Sequence, residues 1–121
     1  FAYLHGIYPT LAKLVGVEAP DYTEKFGFHD VMVGESKGQP QLFGAYMPNA
    51  KIPNGVRAVR QGNHKLLYYT HSGRRQLFDL EKDSWETNDL IGDPAHQKTA
   101  DQLMAALENW MESSGDPLGR E

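Results

Sequence analysis

The chain has 121 residues, 40% of them apolar, no cysteine and a formal net charge of −4. A field of that sign repels nucleic acid, and no basic block with interleaved aromatics argues otherwise. The longest apolar runs are a few residues, against the roughly 20 that a membrane-spanning helix needs. The missing thiols exclude disulfides, zinc thiolates and a cysteine nucleophile, and leave the redox compartment open.

The chain opens on Phe1 and enters apolar sequence without a polar leader, as a piece cut from a longer protein would. Ile7, Leu11, Leu14 and Val15 then repeat at helical spacing, which predicts a short one-sided helix over 7–15. Gly16 is placed to end it as a left-handed cap. Residues 18–40 are rich in glycine and charge and read as an irregular connector. A first strand is predicted over 41–47, closed by Pro48-Asn49 and by Pro53-Asn54-Gly55.

Three more strands are predicted at about 56–61, 64–70 and 75–80, each half-buried with Val56, Ala58, Leu66, Tyr68, Leu77 and Phe78 at the apolar positions of the alternation. Gly62-Asn63 and Ser72-Gly73 reach positive φ cheaply and mark tight turns, so neighbouring strands run antiparallel. Asp93-Pro94 supplies an N-cap followed by proline at the first helical position. The helix it starts, over 94–113, carries Ala100, Leu103, Met104, Leu107, Trp110 and Met111 as one apolar stripe, and Gly115 and Pro117 end it. The expected fold class is α+β: a four-stranded antiparallel sheet with one long C-terminal helix packed across it, plus a short N-terminal helix that belongs to a larger unit.

Arg57, Arg60, His64 and Lys65 fall close together in sequence. Guanidinium forks match the oxygens of an anionic ester, which makes Arg57 and His64 the candidate substrate contacts. The structural alternative pairs Arg60 with Asp79 or Glu86 and leaves the others solvated. Asp79, Asp83, Glu86 and Asp89 lack the spacing of a calcium loop and read as turn and cap residues. Trp85 reads as a lid over the sheet edge. Tyr68 and Tyr69 point to opposite faces, so at most one joins the core. His5, His29, His64, His71 and His96 show no metal-site spacing, and no metal ligand is expected in this chain.

The stretch 56–94 resembles the carboxy-terminal portion of the sulfatases, whose wording is V-R-x-G-x-x-K-L-I-x-Y followed by L-[FY]-D-L-x-x-D-P-x-E-x-x-N-L and a long helix. Val59-Arg60, Gly62, Lys65-Leu66-Leu67, Tyr69, Leu77-Phe78-Asp79-Leu80, Asp83, Glu86, Asn88 and Leu90 fall on it. Upstream, Ile7-Tyr8-Pro9-Thr10-Leu11-Ala12-Lys13-Leu14-Val15-Gly16-Val17 is similar to the family's D-I-x-P-T-L-x-x-L-A-G-V. Gly6 stands for the family's aspartate, a mild change at an N-cap, and Ser84 for its proline after Asp83.

The resemblance implies residues 1–34 as the end of a catalytic α/β domain with its connector, and 35–121 as the smaller C-terminal subdomain. It implies a sulfuric ester hydrolase whose formylglycine nucleophile and calcium lie in the part beyond this chain. No serine here begins the S-x-[PA]-x-R motif from which formylglycine is made, so the chain alone is expected not to hydrolyse sulfate esters. The implied partner is the catalytic domain. Exposed interface surfaces also predict a homodimer or a domain exchange of the isolated chain. The resemblance suggests a periplasmic or extracellular site. A stand-alone binding module derived from such a domain is the alternative reading, and a related phosphonate or phosphate ester hydrolase a third.

Overall fold

The computed structural model describes residues 1–47 and 55–117. The chain divides into two compact units, 1–42 and 43–121. Phe1 and Gln39 are bonded through their main chains, which draws the end of the connector back onto the first unit. The turns proposed at 48–54 lie outside the described residues.

In the first unit a 3-10 turn, Leu4–Gly6, runs into helix α1, Ile7–Leu14. Gly16 takes φ +72°, and the amides of Gly16 and Val17 reach back to the carbonyls of Lys13 and Ala12, which is the double bond of a Schellman cap. Two one-turn helices, α2 at Asp21–Glu24 and α3 at His29–Met32, interrupt the segment expected to be irregular. Thr10 ties the unit together. Its hydroxyl donates to the Gly6 carbonyl and accepts from the Phe28 amide, joining α1 to the start of α3.

Gly6 is more constrained than an N-cap argument suggests. A Cβ there would lie 2.2 Å from the Phe26 carbonyl oxygen, a main-chain atom with no freedom to swing away. Alanine or the family's aspartate therefore needs a backbone shift. Gly6→Ala is expected to destabilise the first unit by about 1–3 kcal/mol. Faster hydrogen exchange at the α1 amides, with the sheet amides unchanged, is the measurement that checks it.

The second unit is built on a four-stranded antiparallel sheet in sequence order, β1 Gln41–Tyr46, β2 Val56–Gln61, β3 His64–Tyr69 and β4 Arg74–Asp79. Gly62 at φ +56° supplies the first position of the β2–β3 turn, and Gly73 at φ +67° closes the β3–β4 turn. Helix α4, Gln97–Ser113, follows a 3-10 turn at Pro94–His96, where the Asp93 carboxylate accepts from the Ala95 amide. Ala100, Leu103, Leu107 and Met111 of α4 meet Val59, Leu66 and Leu77 in one buried cluster. Phe43 joins from β1, its ring stacked on Trp110 with centroids 5.3 Å apart.

One alternation comes out reversed. On β2 the buried positions are Arg57 and Val59, while Val56 and Ala58 are only half-buried. The pairings Val59 with Leu66 and Leu66 with Leu77 place Val59, not Ala58, on the helix-covered face. Both parities of this strand hold apolar residues, so the pattern alone does not choose between them. The strand is decided by what Arg57 meets.

Candidate functional site in the sheet-and-helix unit

Arg57 is 1% exposed and sits under the end of α4. Its Nε donates to one Asp116 carboxylate oxygen at 2.6 Å and its second amine to the other at 2.9 Å, a two-point clamp. The remaining amine donates to the Val56 carbonyl at 3.2 Å. Asp116 is delivered by the helix ending: Gly115 turns left-handed at φ +68°, its amide bonds to Glu112, and the Asp116 amide bonds to Met111. This is the same Schellman geometry that ends α1, and it folds the residue after the glycine back over the sheet. Arg57 is thus a corrected expectation, because its guanidinium is consumed in the interior and is not offered to a substrate.

His64 begins β3 and its ring lies 5.8 Å from that of His96 at the entry to α4. Its Nε2 is buried with no hydrogen-bond partner. A buried polar atom in that state calls for a ligand, a water or a neighbouring chain. His96 in turn lies 3.9 Å from Asp93. Among the described residues no three histidine or carboxylate groups are arranged to hold a metal ion.

Both carboxylates named as partners for Arg60 are bound by lysines. Lys65 binds both Glu86 oxygens at 2.7 and 2.8 Å, and Lys82 pairs with Asp79, while Arg60 Nε donates to the Gly62 carbonyl. Glu86 adopts φ +56°, and in that left-handed conformation its side chain turns onto the strand that carries Lys65.

The rest of the acidic run does turn and cap work. Asp83 accepts from the Asn88 amide at 2.7 Å and from the Thr87 hydroxyl, and these bonds, the Asn88 amide foremost, hold its carboxyl below the usual range. Asp89 accepts from the Leu77 and Ile91 amides, fastening the loop along the edge of β4. Trp85 at the tip is 88% exposed, so it covers nothing and the lid expectation is corrected. The two tyrosines divide as alternation requires. Tyr68 packs against the core, and Tyr69 donates its hydroxyl to Gln76.

The first unit holds an open cleft of about 380 Å³ lined by Pro9, Lys13, Val17, Glu18, Glu24 and His29 among others. Asp30 bridges it, accepting from Lys13 at 2.8 Å and lying 3.2 Å from His29 Nδ1. The Lys13 bond, with help from His29, holds the Asp30 carboxyl low, and the same bond holds the Lys13 ammonium high. No local pattern marks this cluster, since 17 residues separate Lys13 from Asp30.

The model of the family described as N-sulphoglucosamine sulphohydrolase, C-terminal, matches residues 5–113. The chain belongs to this family. A curated relative of the sulfatase domain is the Delta 4,5-hexuronate-2-O-sulfatase of Bacteroides thetaiotaomicron, 25% identical over 111 residues, which are 89% of this chain and 23% of the relative. The domain therefore spans about a quarter of that protein. Among solved structures, one in complex with its substrate D-glucosamine-2-N,6-O-disulfate superposes with a TM-score of 0.76 at 20% identity, over 96% of this chain and 25% of the other. The phosphonate monoester hydrolase of Agrobacterium radiobacter superposes with a TM-score of 0.65 at 18% identity, over 89% of this chain and 24% of the other. At these identities the two structures establish the shared fold.

Proposed function

We propose that the sulfatase domain is the C-terminal subdomain of a sulfuric ester hydrolase acting on a sulfated glycan. The carrying observation is the family match over 5–113, joined to a fold in which sheet and helix close on themselves around Val59, Leu66, Leu77 and Leu107. The curated relative, named as a hexuronate 2-O-sulfatase, supports a sugar sulfate as the substrate class.

In this reading the nucleophile and a calcium ion come from a catalytic domain outside the chain. The residues present do not fit either group: no serine has the S-x-[PA]-x-R surroundings, and no three ligands converge among those described. The domain's own share is packing and one wall of the substrate cleft, with His64 at the start of β3 as the proposed substrate contact. Leu4, Ile7, Leu11 and Leu14 are exposed apolar side chains, and they are the surface through which the first unit joins the catalytic domain, or a second copy when that domain is missing. A periplasmic or extracellular setting follows from the substrate class.

The test is an aryl-sulfate and glycan-sulfate assay of this chain beside the longer product of the same reading frame. Turnover is expected only from the longer product, and only if a C/S-x-P/A-x-R motif precedes this domain. Turnover by the 121-residue chain, or a start codon adjacent to Phe1, would sink the proposal in favour of another catalyst or a stand-alone binding module.

A further inference from the structure

The two edges of the sheet are finished differently. β4 is shielded at its middle, where the Leu77 amide donates to the Asp89 carboxylate and the Leu77 carbonyl accepts from the Leu90 amide. A passing strand finds both groups of that residue occupied. β1 is the opposite edge. Among the described residues no loop or side chain is hydrogen-bonded to the main chain of Leu42 or Gly44. The strand Gln41–Tyr46 also holds no charge and no proline, the residues that guard an edge against further pairing.

Phe43 stacks on Trp110 of α4, so it lies on the helix-covered face and Leu42, Gly44 and Tyr46 share the other. Tyr46 is 66% exposed, and Met47 beside it 42%. Nothing in the described chain requires glycine at 44. Its φ is not positive, and a Cβ built there would meet only the Ala58 Cβ at 4.0 Å, an ordinary contact. A strand glycine with neither need marks a place where another backbone comes close.

We propose that β1 pairs with β1 of a second copy of this chain, antiparallel and about a two-fold axis at Gly44, joining two sheets into one. A second copy is favoured because the strand matches itself. In that register Leu42 lies opposite the second copy's Tyr46, an aliphatic–aromatic pair made twice, and each Tyr46 ring lies diagonal to a Gly44, the position an edge glycine leaves open for an aromatic neighbour. With no charge between 41 and 47, the crossing brings no like charges together. This pairing is independent of the sulfate-ester reading. The exposed face of α1 is a separate surface, which sets no strand register.

The experiment is sedimentation equilibrium of the 121-residue chain, read together with hydrogen exchange. A dimer is expected, with the β1 amides slowing as the chain is concentrated and those of β3 unchanged. Gly44→Pro removes an edge donor and fills the gap at the axis, and is expected to weaken the dimer about tenfold or more, against about twofold or less for Leu11→Lys on the exposed face of α1. The chain has no cysteine, so Gly44→Cys carries a single thiol per copy; a short bis-maleimide is expected to join two copies of it and not two of Leu11→Cys. That linkage keeps the test decisive if Gly44→Pro misfolds. A monomer at every concentration, β1 amides indifferent to concentration, or a dimer lost in Leu11→Lys and kept in Gly44→Pro would overturn the pairing. A chain monomeric alone whose β1 amides slow only in a longer product would give the edge to another part of that protein, and would equally overturn the second copy.

Discussion

Arg57→Ala is expected to destabilise the sheet-and-helix unit by about 3–5 kcal/mol, the usual cost of stranding one partner of a buried ion pair. The removed guanidinium leaves the Asp116 carboxylate, itself only 8% exposed, without its two-point donor. It also releases the end of α4 from β2, because Asp116 holds its position through the same cap that ends the helix. Urea unfolding followed by Trp110 fluorescence measures the loss. The double variant Arg57→Met/Asp116→Leu separates charge from packing. With no stranded charge it is expected to recover most of the stability, since an apolar pair of similar volume often equals a buried ion pair. A double variant as unstable as Arg57→Ala would refute the assignment of the loss to the broken charge pair.

The contrast between this pair and the rest of the sheet explains what a sequence of this kind yields. Strand existence, the two tight turns, the Asp93-Pro94 start and the Gly115 stop were legible because each is specified within a few residues by glycine, proline or an N-cap side chain. The α4 stripe was legible because four of its members, Ala100, Leu103, Leu107 and Met111, are buried where the period places them. Arg57 was not. Its partner lies 59 residues away, and an arginine flanked by Val56 and Ala58 reads as a solvent-facing residue until Asp116 is brought over it. The bond from Lys65 to Glu86 is hidden for a related reason, since the positive φ of Glu86 carries no glycine signal. Trp85 covers no edge, because the Asp83 and Asp89 bonds around it hold the loop without using the ring.

Leu107→Ala should cost about 2–5 kcal/mol and is the substitution most diagnostic of how sheet and helix cohere. Leu107 is 0% exposed and belongs to the same buried cluster as Val59, Leu66 and Leu77, so its truncation opens a hole in the core between helix and sheet. Neighbours around such a site collapse poorly when they are pinned from elsewhere. Leu66 and Leu77 are held in register by the β3–β4 ladder, and Leu77 is further fixed by the Asp89 carboxylate and the Leu90 amide. The cavity is therefore expected to persist, which places the cost in the upper part of that range. Met104→Ala, at a partly buried position beside the cluster, is the internal comparison and should cost markedly less. Denaturant midpoints for the two variants decide the matter. Equal shifts would mean that α4 lies on the sheet without the tight interlock that its buried stripe describes.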